Sequence, residues 1–407
     1  MALCVQLALA LLWATNWLTF RIGPTNNAVV NDPPLQVMWK AVTGGAISSS
    51  PTTDGALLYV GNNNGYLNAI DLKTGNIVWT RHLPNALMSA PLLYDGLVIV
   101  GVGDELSTGS SPQAVFVGIG PSAIDAFDAR TGASRWHAAV AGSAMSTPAI
   151  VNGILVHHNG AGWVTALDPA TGKQKYARNL HSLASMSAAL PIENNRFITS
   201  GVLDNAVWEL NVADGSTVWR AGFSPEGSGH GDCPAVTDGT RVVCNYMMPA
   251  PGQSYTIAGN KATQRAFALD VKTGRVLWDV PLETGVLPPR NEAAIPLLSN
   301  GRVYFGSCVV AFMHAVDMAT GHLVWETHVH GVVKSGSVIV DGVLYFGDLG
   351  GYLWAMDPAS GKVLGDKKMG SGFNVGSPIV VGKTLILGSR TGTVYALPLD
   401  DIRSSHD

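Results

Sequence analysis

An all-β fold, an eight-bladed β-propeller of four-stranded antiparallel blades, is predicted by three observations. One phrase of eleven residues recurs along the chain, short apolar runs and tight-turn dipeptides fill the gaps, and each end of the chain carries half a copy. The copies are AIDLKTGNIVW (69–79), AFDARTGASRW (126–136), ALDPATGKQKY (166–176), ELNVADGSTVW (209–219), ALDVKTGRVLW (268–278), AVDMATGHLVW (315–325) and AMDPASGKVLG (355–365). GTVYALPLDD (392–401) lacks the turn and the last strand, whereas LQVMWKAV (35–42) is such a strand without its predecessor. Joined, the two halves make an eighth blade in which an N-terminal strand completes the C-terminal one. A seven-bladed ring that leaves the N-terminal strand out is the alternative.

Each unit reads as an apolar run after Pro, a turn such as Asp95-Gly96, a second apolar run, the Ala-x-Asp strand, a Thr-Gly turn and the Trp strand. Asp-Gly and Thr-Gly supply the positive φ of tight hairpins, and β-branched residues in alternation fit a half-buried pleat. The Trp fills the space between neighbouring blades. A single blade cannot bury both its faces, so the ring must close. Asp71, Asp128, Asp168, Asp270, Asp317 and Asp357 recur in the phrase and are expected to anchor the adjoining turn.

Charged residues make up 13% of the chain while Gly reaches 47, a balance that suits short strands and tight turns rather than long surface helices. A net charge of −4 and the lack of any Lys/Arg run exclude a nucleic-acid surface. The first twenty residues carry no charge and are followed by Arg21 and a polar, Pro-containing stretch. Residues 1–20 are therefore read as an apolar leader, a signal or anchor segment, 21–34 as a linker, 35–402 as the propeller and 403–407 as a tail. The expected location is the periplasm or the cell exterior, and Cys4 lies too near the start for a lipoprotein cysteine.

The Ala-x-Asp-x-x-Thr-Gly-x-x-x-Trp phrase resembles the docking motif of PQQ-repeat, quinoprotein-like propellers, over about residues 35–402. That resemblance implies the fold. It leaves the function open among quinone-dependent dehydrogenases, an outer-membrane assembly lipoprotein and sulfur-compound hydrolases.

Two blades carry insertions between their second and third strands, at 101–122 and 247–264; Trp79 to Trp136 and Trp219 to Trp278 are 57 and 59 residues apart. Both insertions belong to the face where the innermost strands begin, which makes the central mouth on that face the expected site. Aligning the eight approaches to the inner strand brings Ser49, Ser89, Ser146, Ser187, Asp232, Ala294, Ser335 and Gly376 into one tier. Seven are small and one is a carboxylate, and broken local rules concentrate at working sites. Neighbouring tiers add His230, Arg290, Glu292, Lys334 and Asn374 on one arc, and Met88, Met145 and Met186 on another. The plainer alternatives are that the Met trio fills gaps in packing, that Arg290 and Glu292 pair with each other, and that Asp232 is a structural carboxylate.

Cys233 and Cys244 flank Asp238-Gly239, taken as a two-residue hairpin loop; that register sets 237 against 240 and 233 against 244, within disulfide reach. The pair is a disulfide candidate in an oxidising compartment, and Cys308 has no such partner. Adjacent cysteines and an acidic cage for calcium are both missing from the sequence, so PQQ is not expected despite the repeat type, and no other cofactor is expected. His157-His158 sits beside a strand end without a metal-ligand pattern, and no metal is expected.

The insertion ending in GIGPSAIDAFD (118–128) and the Asp of GHGDCPAV (229–236) resemble the tetrathionate hydrolases, exported acid-tolerant propellers. That resemblance implies hydrolysis of a polythionate, with Asp232 as the acid or base. The small dianionic substrate would be held by Arg290, Lys334 and protonated His230, with thioether walls suited to sulfur. A low charged fraction limits how strongly such a fold responds to acid. The alternatives are a non-catalytic envelope scaffold resembling the outer-membrane assembly propeller, with protein partners, and a PQQ-dependent oxidoreductase. A homo-oligomer is compatible with each reading.

Overall fold

The structure is a computed structural model and describes residues 25–104, 117–201, 206–222, 234–254, 257–288 and 292–406. Eight separate sheets follow one another around a ring, seven of four strands and one of five. The propeller, its eight blades and its closure agree with the sequence reading: Trp39–Val42 pairs antiparallel with Thr393–Pro398 and completes the last blade from outside. Blades are numbered 1 to 8 from the sheet that begins at Thr52–Thr53 to the sheet that begins at Ile379–Val381.

The repeated phrase docks each blade onto the next. Asp71 accepts hydrogen bonds from the Thr74 amide and hydroxyl, both at 2.8 Å, and the same bonds recur at Asp128, Asp168, Asp270 and Asp317. Trp79 donates its indole N–H to the Ala129 carbonyl of the following blade at 3.0 Å, and a Cβ at Gly132 would come within 2.8 Å of its ring. The glycine thus serves two needs, a φ of +68° and room for the tryptophan. Equivalent bonds run from Trp39, Trp136, Trp219, Trp278 and Trp325.

Blade 7 carries Gly365 where the phrase has Trp, and the short helix Leu399–Arg403 explains it. The carbonyls of Ile402 and Arg403 press on Gly365, so any side chain there would expel the helix. Ile402 is fully buried, and Ser405 accepts from the Asp366 amide at 2.9 Å. Residues 403–406, expected as a tail, therefore belong to blade 7.

The stretch 21–34, expected as a linker, is part of the ring from Thr25 onward. Val29–Val30 adds a parallel strand to the inner edge of blade 8, opposite Val380 and Val381. Asn27 accepts from the Ile339 amide and donates to its carbonyl, at 2.8 and 2.9 Å, and the Thr25 carbonyl accepts from Leu298. One segment thus crosses the far ends of the inner strands of blades 8, 7 and 6.

The insertion at 247–264 is largely strand rather than loop. Arg241–Pro249, Lys261–Asp270 and Val276–Val286 form a long ribbon, because buried residues alternate through it (Ala262, Gln264 and Ala266) as in the body of the blade. No helix among the described residues is long and apolar enough to cross a membrane.

Candidate functional site

Four serines of the aligned tier share one bond, while the Ser187 hydroxyl is buried without a partner among the described residues. Ser49 donates to the Gly61 carbonyl at 2.9 Å, Ser89 to Gly101 at 3.2 Å and Ser335 to Gly347 at 2.7 Å, and Ser146 makes the same bond to His158. Each hydroxyl reaches the carbonyl twelve residues on, tying the start of the inner strand to the end of the second. Gly376 has its own cause: a Cβ there would lie 2.5 Å from the Ser49 carbonyl, where blade 8 meets blade 1. Inside this tier Ser48, Ser49, Ser50, Met88, Met186 and Val375 help to enclose an axial cavity of about 20 Å³. That is space for one water, so a larger ligand would sit above the tier, in the mouth.

Among the expected site residues, Asp232, His230, Arg290 and Cys233 lie outside the described residues. Lys334 and Glu292 are brought together: Lys334 Nζ donates to Glu292 Oε2 at 2.8 Å, with the two residues 1% and 5% exposed. The pairing of Glu292 with Arg290 lies outside the described residues, while blade 7 reaches this carboxylate from across the blade boundary. Asn374 donates to Ser48 at 3.3 Å across the closure of the ring. Met88 and Met145 are buried and Met186 half-buried, and all three pack with Met247 and Cys308 in one cluster. Thioether sulfur therefore does gather on one arc, joined by two sulfurs that the sequence alignment did not include.

The hairpin bearing Cys244 differs from the expected register. Val236 pairs with Val243 and Thr237 with Val242, so the loop has four residues and position 244 stands opposite 235 rather than 233. Asp238 causes the difference, accepting from the Thr240 and Arg241 amides at 2.8 and 2.7 Å and widening the turn. The opposed-register argument for a Cys233–Cys244 bridge falls with it.

Sequence reasoning also missed a polar group beside the mouth on blades 5 and 6. Gln264 accepts from the Cys308 amide at 3.0 Å and from its thiol at 3.2 Å, and that thiol lies 3.1 Å from Met247 Sδ. Burial pushes the Cys308 thiol up to about 12; Lys334 opposes this and Glu283 and Glu292 add to it. His314, fully buried, stands 3.0 Å from Glu283. Glu283 and Gln264 lie on the elongated ribbon of blade 5, so the unusual length of that insertion was the available signal.

His157 and His158 are both buried, and burial holds them down to about 3 and about 4. His158 bonds to Thr199 and Ser182, on blade 4 and its approach, at 2.9 and 2.6 Å. They are neutral interior groups. Among the described residues no three or more of His, Cys, Asp and Glu gather as a metal ion would require.

Comparison with known proteins sets this geometry among relatives of more than one activity. A tetrathionate hydrolase of Acidithiobacillus ferrooxidans is 29% identical over 370 residues, covering 86% of this chain and 72% of its own length. An outer membrane protein assembly factor BamB of Burkholderia pseudomallei is 26% identical over 376 residues, 89% of this chain and 87% of that one. The quinohemoprotein alcohol dehydrogenase of Comamonas testosteroni superposes with a TM-score of 0.68 at 14% identity, over 96% of this chain and 81% of that chain, a likeness of fold alone. The profile of the family described as outer membrane protein assembly factor BamB matches residues 11–112, 120–247 and 262–401, and the chain belongs to that family of PQQ-type propellers.

Proposed function

We propose that this propeller is an exported hydrolase of an inorganic sulfur compound of the polythionate type, with Asp232 supplying acid and base at the central mouth. The supporting observation is the tier of hydroxyls that donate to the carbonyl twelve residues on. Aligned on the Pro that opens the inner strand, Asp232 is assigned to that tier in blade 5. A carboxyl group there could donate to a strand carbonyl as the serines do only in its protonated form, which favours a proton donor at that place.

The surroundings suit such a substrate. Lys334 offers an ammonium group already desolvated at the mouth, and Arg290 and His230 are proposed to complete the anion-binding arc with Asn374. Met88, Met145 and Met186 provide a soft, polarizable wall for a chain of divalent sulfur. For tetrathionate the balance is one water consumed and one thiosulfate, one sulfate, one zero-valent sulfur and two protons released. Asp232 would hold the water and return a proton to the departing thiosulfate. The 29% identity to a tetrathionate hydrolase supports this substrate class over others. No step here uses PQQ.

The second reading is a non-catalytic scaffold of the cell envelope, favoured by the assembly-factor relatives, which match at similar coverage. One assay separates the two: purified protein is incubated with tetrathionate between acid and neutral pH, and thiosulfate and sulfate are followed. Release of both products supports the hydrolase; absence of product across the range leaves the scaffold.

A further inference from the structure

We infer that a cavity on the face opposite the mouth, between blades 4 and 5, is the seat of the chain's own residues 22–24, which carry the N-terminal strap of residues 25–30 onto one more blade. The cavity measures about 480 Å³, and its wall includes Thr25, Pro191, Ile192, Thr237 and Val271. Thr25 is the first described residue, so the three residues before it start at the rim of this space.

The strap follows a track of amides at one register. Val380, Ile339 and Leu298 lie opposite Leu385, Leu344 and Val303, at equivalent places in blades 8, 7 and 6. The Val380 amide donates to the Ala28 carbonyl at 2.9 Å, the Ile339 amide to Asn27 Oδ1 at 2.8 Å and the Leu298 amide to the Thr25 carbonyl at 2.9 Å. Val29 stands opposite Val380, Asn27 holds Ile339 and Thr25 holds Leu298, so the chain uses two residues for each blade it crosses. In blade 5 the same register belongs to Thr237, opposite Val242, and Thr237 is 2% exposed. A buried amide needs an acceptor, and the residue two before Thr25 is Gly23.

Blade 4 ends the track. Its residue at that register is Pro191, opposite Phe197, and proline has no amide hydrogen to give. The sequence of residues 22–24 suits the last step. Pro24 biases Gly23 toward an extended conformation, as a strand-like strap requires. The side chains of Ile22 and Pro24 are apolar, like Pro191, Ile192 and Val271 of the wall. Charged groups there are already engaged, Arg196 with Glu209 and Asp238 with the amides of its own turn, which favours an apolar occupant over a charged ligand. The strap then ties the inner strands of blades 5 to 8, half the ring, while Trp39–Val42 closes it from outside. A leader retained on the chain would leave on this face, turning the mouth away from a membrane that held it.

The test is disulfide trapping in the full chain. In Ile22→Cys combined with Ile192→Cys, mild oxidation should join the two positions within one molecule, mapped by peptide mass after digestion. Ile22→Cys combined with Asn152→Cys, on the corresponding turn of blade 3, should give no such link. Absence of a link to position 192 would overturn the proposal; so would a link found only between molecules, which would assign the cavity to a second copy. Hydrogen exchange covers the case of a double variant that folds poorly. The Thr237 amide should exchange roughly tenfold faster or more in Ile22→Asp, whose carboxylate is unsuited to the apolar wall, than in the parent, while the Leu298 amide exchanges alike in both. Equal exchange at Thr237 in the two proteins would also overturn the proposal.

Discussion

Lys334 and Glu292 form an ion pair 2.8 Å long that joins blade 7 to blade 6 at the mouth, with both side chains withdrawn from water. Removing either partner takes this charge-assisted bond from a group withdrawn from water. Lys334→Met is therefore expected to lower unfolding stability by about 3–5 kcal/mol, and Glu292→Leu combined with Lys334→Met to recover most of that loss. Urea denaturation measures both; a single variant as stable as the parent would show that the pair carries no such cost.

Asp232→Asn is expected to abolish tetrathionate turnover while the melting temperature stays within a few degrees of the parent. Asparagine keeps the volume and the carbonyl oxygen but cannot release a proton at any working pH. Turnover that survives the change removes Asp232 from the mechanism.

His157 and His158 are held to about 3 and about 4 in the folded protein, against 6.5 for an unburied imidazole. The unfolded chain therefore binds more protons below pH 6.5. Stability contributed by these groups is present above 6.5 and is lost as pH falls toward 4, by about 1.4 kcal/mol per pH unit for each histidine. The low charged fraction does not protect against this. His157→Leu should flatten the decline between pH 6.5 and 4, read from denaturation midpoints at several pH values; an unchanged slope would assign the acid sensitivity elsewhere.

Gly365→Trp restores the repeat phrase in blade 7 and should break the fold locally. The carbonyls of Ile402 and Arg403 occupy the space a tryptophan needs, so the helix must leave. Exposing Ile402 alone costs about 1.5–3 kcal/mol. Hydrogen exchange of 399–406 is expected to rise strongly while the other blades keep their protection. Retained protection in 399–406 would mean that the glycine is not what admits the helix.

The architecture was legible in the sequence because each blade is built from local rules repeated in order. Thr-Gly turns, the Asp that caps them and the Trp that packs on the next glycine all act within one repeat and the start of the next, so the repeat displays them directly. The inner tier was legible for the same reason: one register places Ser49, Ser89, Ser146 and Ser335 alike. The hairpin at Asp238 was misjudged by two residues, because a side-chain carboxylate competing for turn amides can lengthen a loop whose Asp-Gly suggests a shorter one.

By itself the sequence determined the ring, its eight blades and its closure by Trp39–Val42. Tertiary structure alone decided which residues meet between blades. Lys334 found Glu292, Cys308 found Met247 and Gln264, Gly365 made room for a helix, and Asn27 bridged to Ile339 across more than three hundred residues. Such contacts join strands that the chain order keeps far apart, and their strength depends on burial, which a repeat pattern does not encode.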